Sequence, residues 1–371
     1  MGETGANPPA ILVTGISGTL GQRLVARMPE CRFIGIDVRP PASCPGEFHP
    51  LDLGRESSCQ ELLQVMRSAR PQAVIHLAFV VDEVSAGVTD RDRMWRINVG
   101  GTARVMEAIA VLNRLSADGE VVRKFIFPSS VSAYGPDLQG AVTEDCPLDG
   151  HTLPYAVHKR EADLVVQQRA ESLGGCATWI LRPHIFAGST VENYILAALR
   201  GIPSGKSRRA LRWRAAGKRM PILLPRGRRY LENHTQFVHI DDMARLLGAI
   251  LQRKASGSSL EVLNVAGRGS SLSVRECAQI TGTEIRQVPS RAMCRLLLQM
   301  AWRFEFSSFP PEAFPYLTGS QVMDTSRLQS FLGAEYREVI QFTNEGALKQ
   351  SVQPPTQPEA SPASRQPVPW P

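Results

Sequence analysis

The sequence predicts an α/β fold in which helices cover both faces of an open, doubly wound parallel sheet. Short apolar runs alternate with longer segments of helical periodicity over the first half of the chain, and this alternation is typical of βαβ units. The short runs lack polar alternation, as expected of parallel strands that are buried on both faces. Crossover connections of this length, which are right-handed, arrange such strands as an open sheet.

The predicted elements follow this rhythm as far as residue 185 and become less regular beyond it. The strands are Ala10–Thr14, Arg32–Asp37, Ala73–Leu77, Lys124–Phe127 and Ala177–Leu181. The helices are Leu20–Met28, Glu56–Ser68, Arg91–Leu115 and Tyr155–Ser172. Later elements are a strand at Gln236–Ile240, a helix at Asp241–Gln252 and a strand at Glu261–Val265.

Composition is that of an ordinary globular chain, because 43% of the 371 residues are apolar and 21% are charged. The net charge of +7 comes from residues 206–229, which hold ten Lys and Arg and no Asp or Glu. Since no nucleic-acid-reading motif accompanies this basic segment, we expect no nucleic-acid partner. We interpret the segment as a solvated surface loop, and the alternative is a clamp in which arginine side chains bind phosphate.

The cysteines and the N-terminal residues predict an intracellular chain without a metal site. The seven cysteines form no C-x-x-C pair and have no histidine set nearby, which argues against a disulfide framework or structural zinc. The first residues lack a signal-peptide pattern, and no window reaches the roughly 18 apolar residues of a membrane-spanning helix. We therefore expect reduced thiols, no membrane span and a cytoplasmic location.

A glycine-rich turn after the first strand predicts a dinucleotide site. Thr14–Gly21 reads T-G-x-x-G-x-x-G and opens a helix. Gly15 permits the tight turn, Gly18 lets backbone N–H groups approach a pyrophosphate, and Gly21 lets the helix pack closely on the strand. The helix N-terminus offers the positive end of its dipole to the phosphates. The predicted phosphate-binding residues are Gly15, Ser17, Gly18, Thr19, Leu20 and Gly21.

A carboxylate at the end of the second strand favours NAD over NADP. Asp37 lies sixteen residues after Gly21, where a carboxylate can accept hydrogen bonds from both adenosine ribose hydroxyls. It would repel a 2′-phosphate, although Arg39, two residues later, would soften this preference.

A serine, a tyrosine and a lysine predict the catalytic groups. Tyr155 and Lys159 form a Y-x-x-x-K pair on one face of a predicted helix. The ordinary pKa of a phenol, about 10, is too high for a base at neutral pH, and we expect the Lys159 ammonium to lower it, together with a positive nicotinamide. Ser130 ends the fourth strand segment and would hydrogen-bond the substrate oxygen that Tyr155 protonates or deprotonates.

Together these motifs resemble the extended short-chain dehydrogenase/reductase family, whose members are also called NAD-dependent epimerase/dehydratases. The resemblance covers most of the chain and includes Asn98–Thr102 (NVGGT), Leu181–Pro183 (LRP), Phe237–Asp242 (FVHIDD) and Asp324–Leu328 (DTSRL). It implies a Rossmann-type sheet followed by a smaller C-terminal α/β lobe that binds substrate.

The resemblance also implies further residues around the cofactor. They are Asp52 and Leu53 at the adenine, Leu77, Ala78 and Phe79 along the cleft, and Pro183 and His184 beside the nicotinamide. Asn98 would hold a main-chain or water contact in the proton relay. In contrast, we expect His76 and His239 to be buried core histidines rather than catalytic groups.

We assign residues 8–184, with the strand and helix near 235–265, to the dinucleotide-binding domain. Residues 185–234 and 266–350 form the predicted substrate lobe. Residues 351–371 are rich in proline and poor in apolar side chains, so we expect a disordered tail.

Departures from the family pattern narrow the predicted chemistry. Val131 and Ser132 stand where sugar 4,6-dehydratases carry an Asp-Glu pair, so we discount dehydration. Ile185 and Thr235 stand where nucleotide-sugar epimerases carry an Asn and an Arg that bind the sugar diphosphate.

We therefore predict an NAD-dependent oxidoreductase that transfers hydride between a nicotinamide and a secondary alcohol or ketone of small or medium size. A nucleotide-sugar 4-epimerase with transient oxidation is the alternative. A non-enzymatic NAD-binding regulatory protein is less favoured, because it has no need of the tyrosine and lysine arrangement. A homodimer stays open, since nothing in the sequence determines the oligomeric state.

One further segment shows clear helical amphipathicity. Apolar residues recur with helical spacing at Met293, Leu296, Leu297, Met300, Ala301 and Phe304. We expect this stripe to pack in the core, in preference to a membrane surface or the lid of an apolar pocket.

Overall fold

A seven-stranded parallel sheet forms the centre of the structure, a computed structural model that describes residues 9–43, 46–81, 90–116, 122–255 and 259–353. The strand order is β12-β7-β5-β4-β1-β2-β3. The chain therefore reverses its direction of winding between β1 and β4, as in doubly wound dinucleotide-binding sheets. The predicted Rossmann-type fold class is confirmed.

The strands of the main sheet are β1 (Ala10–Thr14), β2 (Arg32–Asp37), β3 (Gly46–Pro50), β4 (Ala73–His76), β5 (Lys124–Pro128), β7 (Ala177–Pro183) and β12 (Leu260–Val265). The other strands form two-stranded pairs: β6 (Ala141–Val142) with β15 (Val322–Met323), β8 (Ile185–Ala187) with β11 (Phe237–His239), β9 (Ile222–Pro225) with β14 (Ile285–Val288), and β10 (His234–Thr235) with β13 (Leu272–Ser273).

The helices of the first half are α1 (Thr19–Arg27), α2 (Ser58–Ala69), α3 (Arg91–Trp95), α4 (Gly101–Leu115) and α5 (Pro154–Arg169). Those of the second half are α6 (Tyr194–Leu199), α7 (Arg208–Ala215), α8 (Arg228–Leu231), α9 (Ile240–Gln252), α10 (Val274–Thr281), α11 (Arg291–Arg303), α12 (Phe314–Thr318), α13 (Ser326–Leu332), α14 (Tyr336–Val339) and α15 (Asn344–Ser351). A π-helix covers Arg96–Gly100, and 3-10 helices cover Val131–Tyr134, Ala170–Leu173, Pro311–Ala313 and Gly333–Glu335.

Alternating side chains of each strand divide the core between the two faces of the sheet. Ile11 and Val13 point to the face that α1 and α9 cover, whereas Leu12 points to the face that α2, α4 and α5 cover. Both sets are fully buried. The sheet is thus apolar on both sides, which is why its strands appear in the sequence as continuous apolar runs.

Two elements of the first half differ from the prediction. β3 was not predicted, because this edge strand is largely exposed or half-buried and its sequence, GEFHP, contains no apolar run. The predicted single helix Arg91–Leu115 is wrong, since the π-helix at Arg96–Gly100 separates α3 from α4. A π-turn has no signature in hydrophobic periodicity, and such turns are frequent at functional sites.

The second half corrects three predictions. The basic segment is not a loop, because it contains α7 and the paired strand β9. The stripe on α11 is not core, since Met293, Leu296 and Met300 are exposed. The predicted tail begins too early, as Ser351 is a buried residue of the last helix; residues 354–371 lie outside the described part of the chain.

Among the described residues, no helix combines the length and apolar character needed to cross a membrane.

A buried ion pair fixes α5 to the sheet. Arg182 on β7 donates from Nε and Nη2 to the two carboxylate oxygens of Asp163 on α5, at 2.9 and 3.1 Å. Its Nη1 donates to the Tyr134 hydroxyl at 2.7 Å and to the Glu144 carbonyl at 2.9 Å. Arg182 and Asp163 are both almost completely buried, so each charge depends on the other for solvation.

We expect Asp163→Asn to lower the free energy of unfolding by about 3–5 kcal/mol, because it leaves the Arg182 charge buried without a carboxylate. The control is Glu284→Gln, which breaks the exposed ion pair with Arg286 and should leave stability unchanged within error. Urea denaturation of both variants measures the difference, and equal stability of the two would contradict this account of the buried pair.

Candidate active site

The glycine turn between β1 and α1 is set by close backbone contacts. Gly15 has a φ of +72°, and a Cβ at this position would lie 2.6 Å from the Ala78 backbone nitrogen. A Cβ on Gly21 would lie 2.5 Å from the Ile16 carbonyl oxygen. Neither position can carry a larger residue without displacing backbone, so these two glycines close the turn and seat α1 on the sheet.

The N-terminus of α1 has the donors that a pyrophosphate requires. Gly18 is the N-cap residue of α1. No side chain caps this end of the helix by a hydrogen bond, and the first turn of α1 contains no acidic residue. The backbone N–H groups at Thr19, Leu20 and Gly21 therefore begin the helix with an uncompensated positive dipole end. This donor set suits an anionic group.

Asp37 is held at the end of β2 beside the glycine turn. One carboxylate oxygen accepts from the Ser17 N–H at 3.1 Å, and the other accepts from the Val38 N–H at 2.7 Å. The Ser17 hydroxyl donates to the Arg39 carbonyl at 2.6 Å. Each Asp37 oxygen keeps a further lone pair, so the carboxylate can still accept from a ribose hydroxyl.

His76 is a packed core residue, as predicted. Its ring nitrogens hydrogen-bond the hydroxyls of Thr14 at 2.6 Å and Thr102 at 3.0 Å. Burial, with a smaller effect of Lys159, lowers the pKa of His76 to about 3. The Thr14 hydroxyl also accepts from the Ala78 N–H at 3.2 Å, and this contact holds the segment after β4 against the glycine turn.

Asn98 lies in the π-helix and makes the main-chain contact that the resemblance implied. Its side-chain oxygen accepts from the Val80 N–H at 2.7 Å, and its side-chain nitrogen donates to the Val80 carbonyl at 2.9 Å. The same nitrogen lies 3.2 Å from Nδ1 of the buried His158 on α5. No motif identifies His158 in the sequence, yet its ring links the π-helix to α5. A role of Asn98 in proton transfer stays a prediction.

Ser130, Tyr155 and Lys159 come together at the carboxyl end of β5. The Ser130 hydroxyl is close enough to Tyr155 to affect the pKa of its phenol, and Ser130 also caps the following 3-10 helix by accepting from the Ser132 N–H at 3.1 Å. Lys159 Nζ donates to the Pro128 carbonyl at 2.7 Å and lies 3.6 Å from the centre of the Phe79 ring. Phe79 in turn meets the Tyr155 ring edge to face at 5.9 Å.

The charge states of these groups correct one prediction. Burial raises the pKa of Tyr155, and the hydrogen bond with Ser130 only partly opposes this. Burial also lowers the pKa of Lys159 to about 7, against the opposite effect of Asp163. The part of the prediction that assigns a lowering to Lys159 alone is therefore wrong for this arrangement, because the ammonium is itself poorly solvated and lies 6.0 Å from the centre of the phenol ring. The effect of Lys159 together with a bound, positively charged nicotinamide stays a prediction.

Tyr155 faces a cleft of about 470 Å³ that is partly open to solvent. The cleft walls combine apolar and aromatic side chains with polar ones, including Arg91 and Glu312, which form an ion pair at 3.2 Å. The lining residues are Val81, Arg91, Met94, Leu153, Pro154, Tyr155, Tyr194, Trp302, Ser308, Pro310 and Glu312. Sequence reasoning identified only Tyr155 among them, because the others come from distant segments that share no local motif.

The remaining predicted residues follow the carboxyl ends of other strands. Asp52 follows β3, accepts from the Gly54 N–H at 2.8 Å and pairs with Arg93 at 3.4 Å. Leu53 is buried beside it. Leu77, Ala78 and Phe79 follow β4 and are half-buried. Pro183 ends β7. Carboxyl ends of parallel strands share one edge of the sheet, where open α/β folds bind their ligands.

Both ring nitrogens of His184 form hydrogen bonds within the protein, and its side chain does not line the described cleft. It is buried, and its Nε2 lies 2.9 Å from the Gln321 carbonyl while its Nδ1 accepts from the Ile185 N–H at 2.9 Å. Burial lowers its pKa to about 4. His239 is also buried, as predicted, and stacks on Phe342 at 3.8 Å. Both rings therefore hold the second half of the chain against the sheet.

A glycine turn, a hydroxyl, a phenol and an ammonium on one edge of a doubly wound sheet define the class of dinucleotide-binding α/β proteins. Residues 11–266 match the NAD dependent epimerase/dehydratase family, so the chain belongs to this family, as the motifs indicated. The family match ends just beyond β12, the last strand of the main sheet.

Individual relatives are distant. An uncharacterised epimerase/dehydratase of Staphylococcus saprophyticus is 26% identical over 177 residues, and the match spans 44% of this chain and about half, 49%, of that protein's length. The UDP-glucose 4-epimerase of Thermus thermophilus in complex with NAD has a similar fold, with a TM-score of 0.64 and 17% identity over 92% of this chain and 97% of that one. A dTDP-glucose 4,6-dehydratase of Streptomyces venezuelae also has a similar fold, with a TM-score of 0.64 and 20% identity over 92% of this chain and 95% of that one.

We expect Gly15→Ala to destabilise the protein more than Gly140→Ala. Both glycines have a positive φ, +72° and +79°, but a Cβ on Gly140 meets nothing within 4 Å. The backbone conformation should cost both variants about 1 kcal/mol, and only Gly15→Ala adds a clash with backbone, on the order of 1–3 kcal/mol. Urea denaturation tests this, and equal losses of stability would show that the turn has room for a methyl group.

Proposed function

We propose that the protein is an NAD-dependent oxidoreductase that interconverts a secondary alcohol and the corresponding ketone. The observation that carries this proposal is the grouping of Ser130, Tyr155 and Lys159: Tyr155 lines the cleft, Lys159 Nζ lies 6.0 Å from the centre of its ring, and Ser130 is close enough to affect the pKa of its phenol. These are a donor for a substrate oxygen, a proton-transferring phenol and a cation at the edge of the sheet where this family binds its cofactor.

The residues at the same edge fit NAD. The open N-terminus of α1 would bind the pyrophosphate, and Asp37 would accept from the adenosine ribose hydroxyls. Asp52 and Leu53 would border the adenine, while Ala78, Phe79 and Pro183 would line the cleft toward the nicotinamide. When bound, the nicotinamide exchanges hydride with the substrate carbon.

The protein groups handle the proton. During reduction, the protonated Tyr155 phenol donates its proton to the carbonyl oxygen that becomes the alcohol, and the Ser130 hydroxyl donates a hydrogen bond to the same oxygen. In the reverse direction, Tyr155 as phenolate takes the proton of the alcohol. Since burial raises the pKa of Tyr155, the phenol carries the proton that the reduction step requires.

The cleft offers a substrate both apolar and polar contacts. Tyr194, Trp302 and Pro310 line it together with Tyr155. These three residues come from 185–234 and 266–350, which we propose to be the substrate lobe beside the cofactor domain of 8–184 and 235–265. Structural relatives are named for UDP-glucose and dTDP-glucose chemistry. This chain has Ile185 and Thr235 at the proposed diphosphate positions, and no residue of 206–229 lines the described cleft. We therefore place nucleotide-sugar epimerisation second.

A panel of ketones, secondary alcohols and nucleotide sugars tests the proposal. Cofactor absorbance reports net oxidation or reduction, and product analysis reports epimerisation without net redox change. Turnover of a ketone with NADH supports the proposal, whereas turnover confined to a sugar nucleotide would replace it by epimerisation. The cytoplasmic location and the homodimer stay predictions.

We expect Tyr155→Phe to lower kcat by at least about 100-fold, because the phenol is the proton donor, while NAD affinity changes only a few-fold. Tyr194→Phe removes a phenol from the same cleft and should leave kcat within a few-fold. Steady-state kinetics and isothermal titration measure both quantities. Near-normal kcat in Tyr155→Phe would show that the phenol is misassigned.

We also expect tighter binding of NAD than of NADP, since the Asp37 carboxylate would repel a 2′-phosphate. Asp37→Ser should reduce the ratio of NAD affinity to NADP affinity, because it weakens NAD binding and removes the repulsion of the 2′-phosphate of NADP. Isothermal titration of the wild type and the variant with both cofactors measures the ratio. A wild-type protein that binds NADP more tightly would overturn the assignment of Asp37.

A further inference from the structure

An apolar stripe on α11 is exposed to solvent although its residues are large. Met293, Leu296, Leu297, Met300 and Phe304 are 38–63% exposed. They recur at i, i+3, i+4, i+7 and i+11, so they form one continuous face. The helix packs on the protein through other residues, Cys294, which is buried, and Leu298, which is half-buried. Contiguous exposed apolar surface of this kind marks an interaction site.

Three other exposed positions of α11 are basic, and the remaining ones are Ala292, Gln299 and Trp302. Arg291, Arg295 and Arg303 lie outside the apolar stripe, and the helix contains no acidic residue. A helix with exposed Leu, Met and aromatic side chains on one face and arginines beside them is typical of segments that lie in a membrane interface.

The basic segment adjoins the C-terminal end of this helix. The Trp213 ring on α7 meets the Phe306 ring edge to face at 5.2 Å. Backbone bonds join the same regions, from Gly205 N–H to the Phe306 carbonyl at 3.1 Å and from Ser207 N–H to the Glu305 carbonyl at 3.0 Å. α7 therefore begins beside the end of α11 and adds Leu211, which is 51% exposed.

The combined surface carries a strong positive charge. Residues 206–229 contain no acidic residue, and Glu305 is the acidic side chain at the junction. Among the described residues, no carboxylate forms an ion pair with Arg208, Arg212 or Arg295. Some basic side chains of the segment are structural, since Arg219 donates to the carbonyls of Arg200 and Thr281. The arginines of α7, in contrast, are exposed on its surface.

We propose that α11 and α7 form a surface that binds an anionic lipid bilayer. The apolar stripe enters the boundary between headgroups and acyl chains, and Arg208 and Arg212 on α7 bind lipid phosphate groups. Peripheral binding of this kind requires no spanning helix, and it is independent of the oxidoreductase activity proposed above.

Other partners fit this surface less well. A nucleic acid would engage the arginines, but a phosphate backbone offers no apolar surface for five large hydrophobic side chains. A second copy of this chain, related by a twofold axis, would bring the same arginine-rich face against itself. An anionic bilayer offers apolar acyl chains to the stripe and negatively charged headgroups to the arginines.

Co-sedimentation of the full chain with vesicles tests the proposal. We expect binding to vesicles of phosphatidylcholine with phosphatidylglycerol, and binding weaker on the order of tenfold or more to phosphatidylcholine alone. Leu296→Gln with Met300→Gln should reduce binding by on the order of tenfold, because it removes the apolar contact. Both side chains are exposed, so the fold should be retained, and urea denaturation checks this.

Matched variants at other surface positions test whether any loss of binding comes from this surface or merely from the loss of an exposed apolar side chain or of positive charge. Leu115→Gln removes an exposed leucine elsewhere and should leave binding unchanged. Arg208→Ser with Arg212→Ser should weaken binding, whereas Arg67→Ser with Arg123→Ser, which removes the same charge from other exposed positions, should not. These variants lie outside the proposed catalytic machinery and should turn over normally.

Four results would overturn the proposal. The first is failure of the wild type to bind anionic vesicles, and the second is binding that the stripe variant does not reduce. The third is a stable dimer in sedimentation velocity that Leu296→Gln with Met300→Gln dissociates, since the stripe would then be an interface between two copies. Binding to duplex DNA or RNA that competes with the vesicles and survives the stripe variant would likewise assign the surface to nucleic acid.

Discussion

The buried guanidinium of Arg182 joins the elements on which the candidate active site is built. It extends from β7 to Asp163 on α5, to Tyr134 in the 3-10 helix after β5, and to the Glu144 carbonyl. Asp163 lies one helical turn after Lys159, so the ion pair determines which face of α5 turns toward the sheet. Tyr155 and Lys159 share that orientation. An unpaired charge at this depth is costly, and alternative positions of α5 are therefore excluded.

Main-chain carbonyls and amides place the proposed catalytic side chains around this anchor. Pro128 accepts from Lys159, Val80 holds Asn98, and the Ser132 N–H holds Ser130. Each of these backbone groups belongs to a strand end or to the turn that follows it. The geometry of the site is thus a property of the sheet edge rather than of flexible loops, and burial at this edge shifts the pKa of Tyr155 upward and that of Lys159 downward.

Local spacing made part of this structure predictable. The glycine turn and the Tyr155–Lys159 pair each consist of residues a few positions apart, so their motifs can be recognised in the sequence, although the contact of Gly15 with Ala78 can be seen only in the structure. The π-helix at Arg96–Gly100 and the polar edge strand β3 carry no periodic signal. Trp302 reaches the cleft from a segment far from the motifs. Periodicity also revealed the stripe on α11, but it cannot show whether protein or solvent covers a stripe. The pKa of Tyr155 depends on how deeply the phenol is buried, and burial is set by segments distant in the sequence.

The last strand of the sheet has a bearing on the order in which the chain can fold. β12 pairs with β7 along its whole length, and in the sequence it follows both the entire basic segment and α9. Asn264 on this strand accepts from the Tyr134 hydroxyl and donates to Glu144, so it completes the network around Arg182. During synthesis, β7 therefore presents an open sheet edge until residue 265 has emerged. A fragment that ends before β12 contains every proposed catalytic residue, yet it lacks both the strand and the hydrogen bonds that hold them in place.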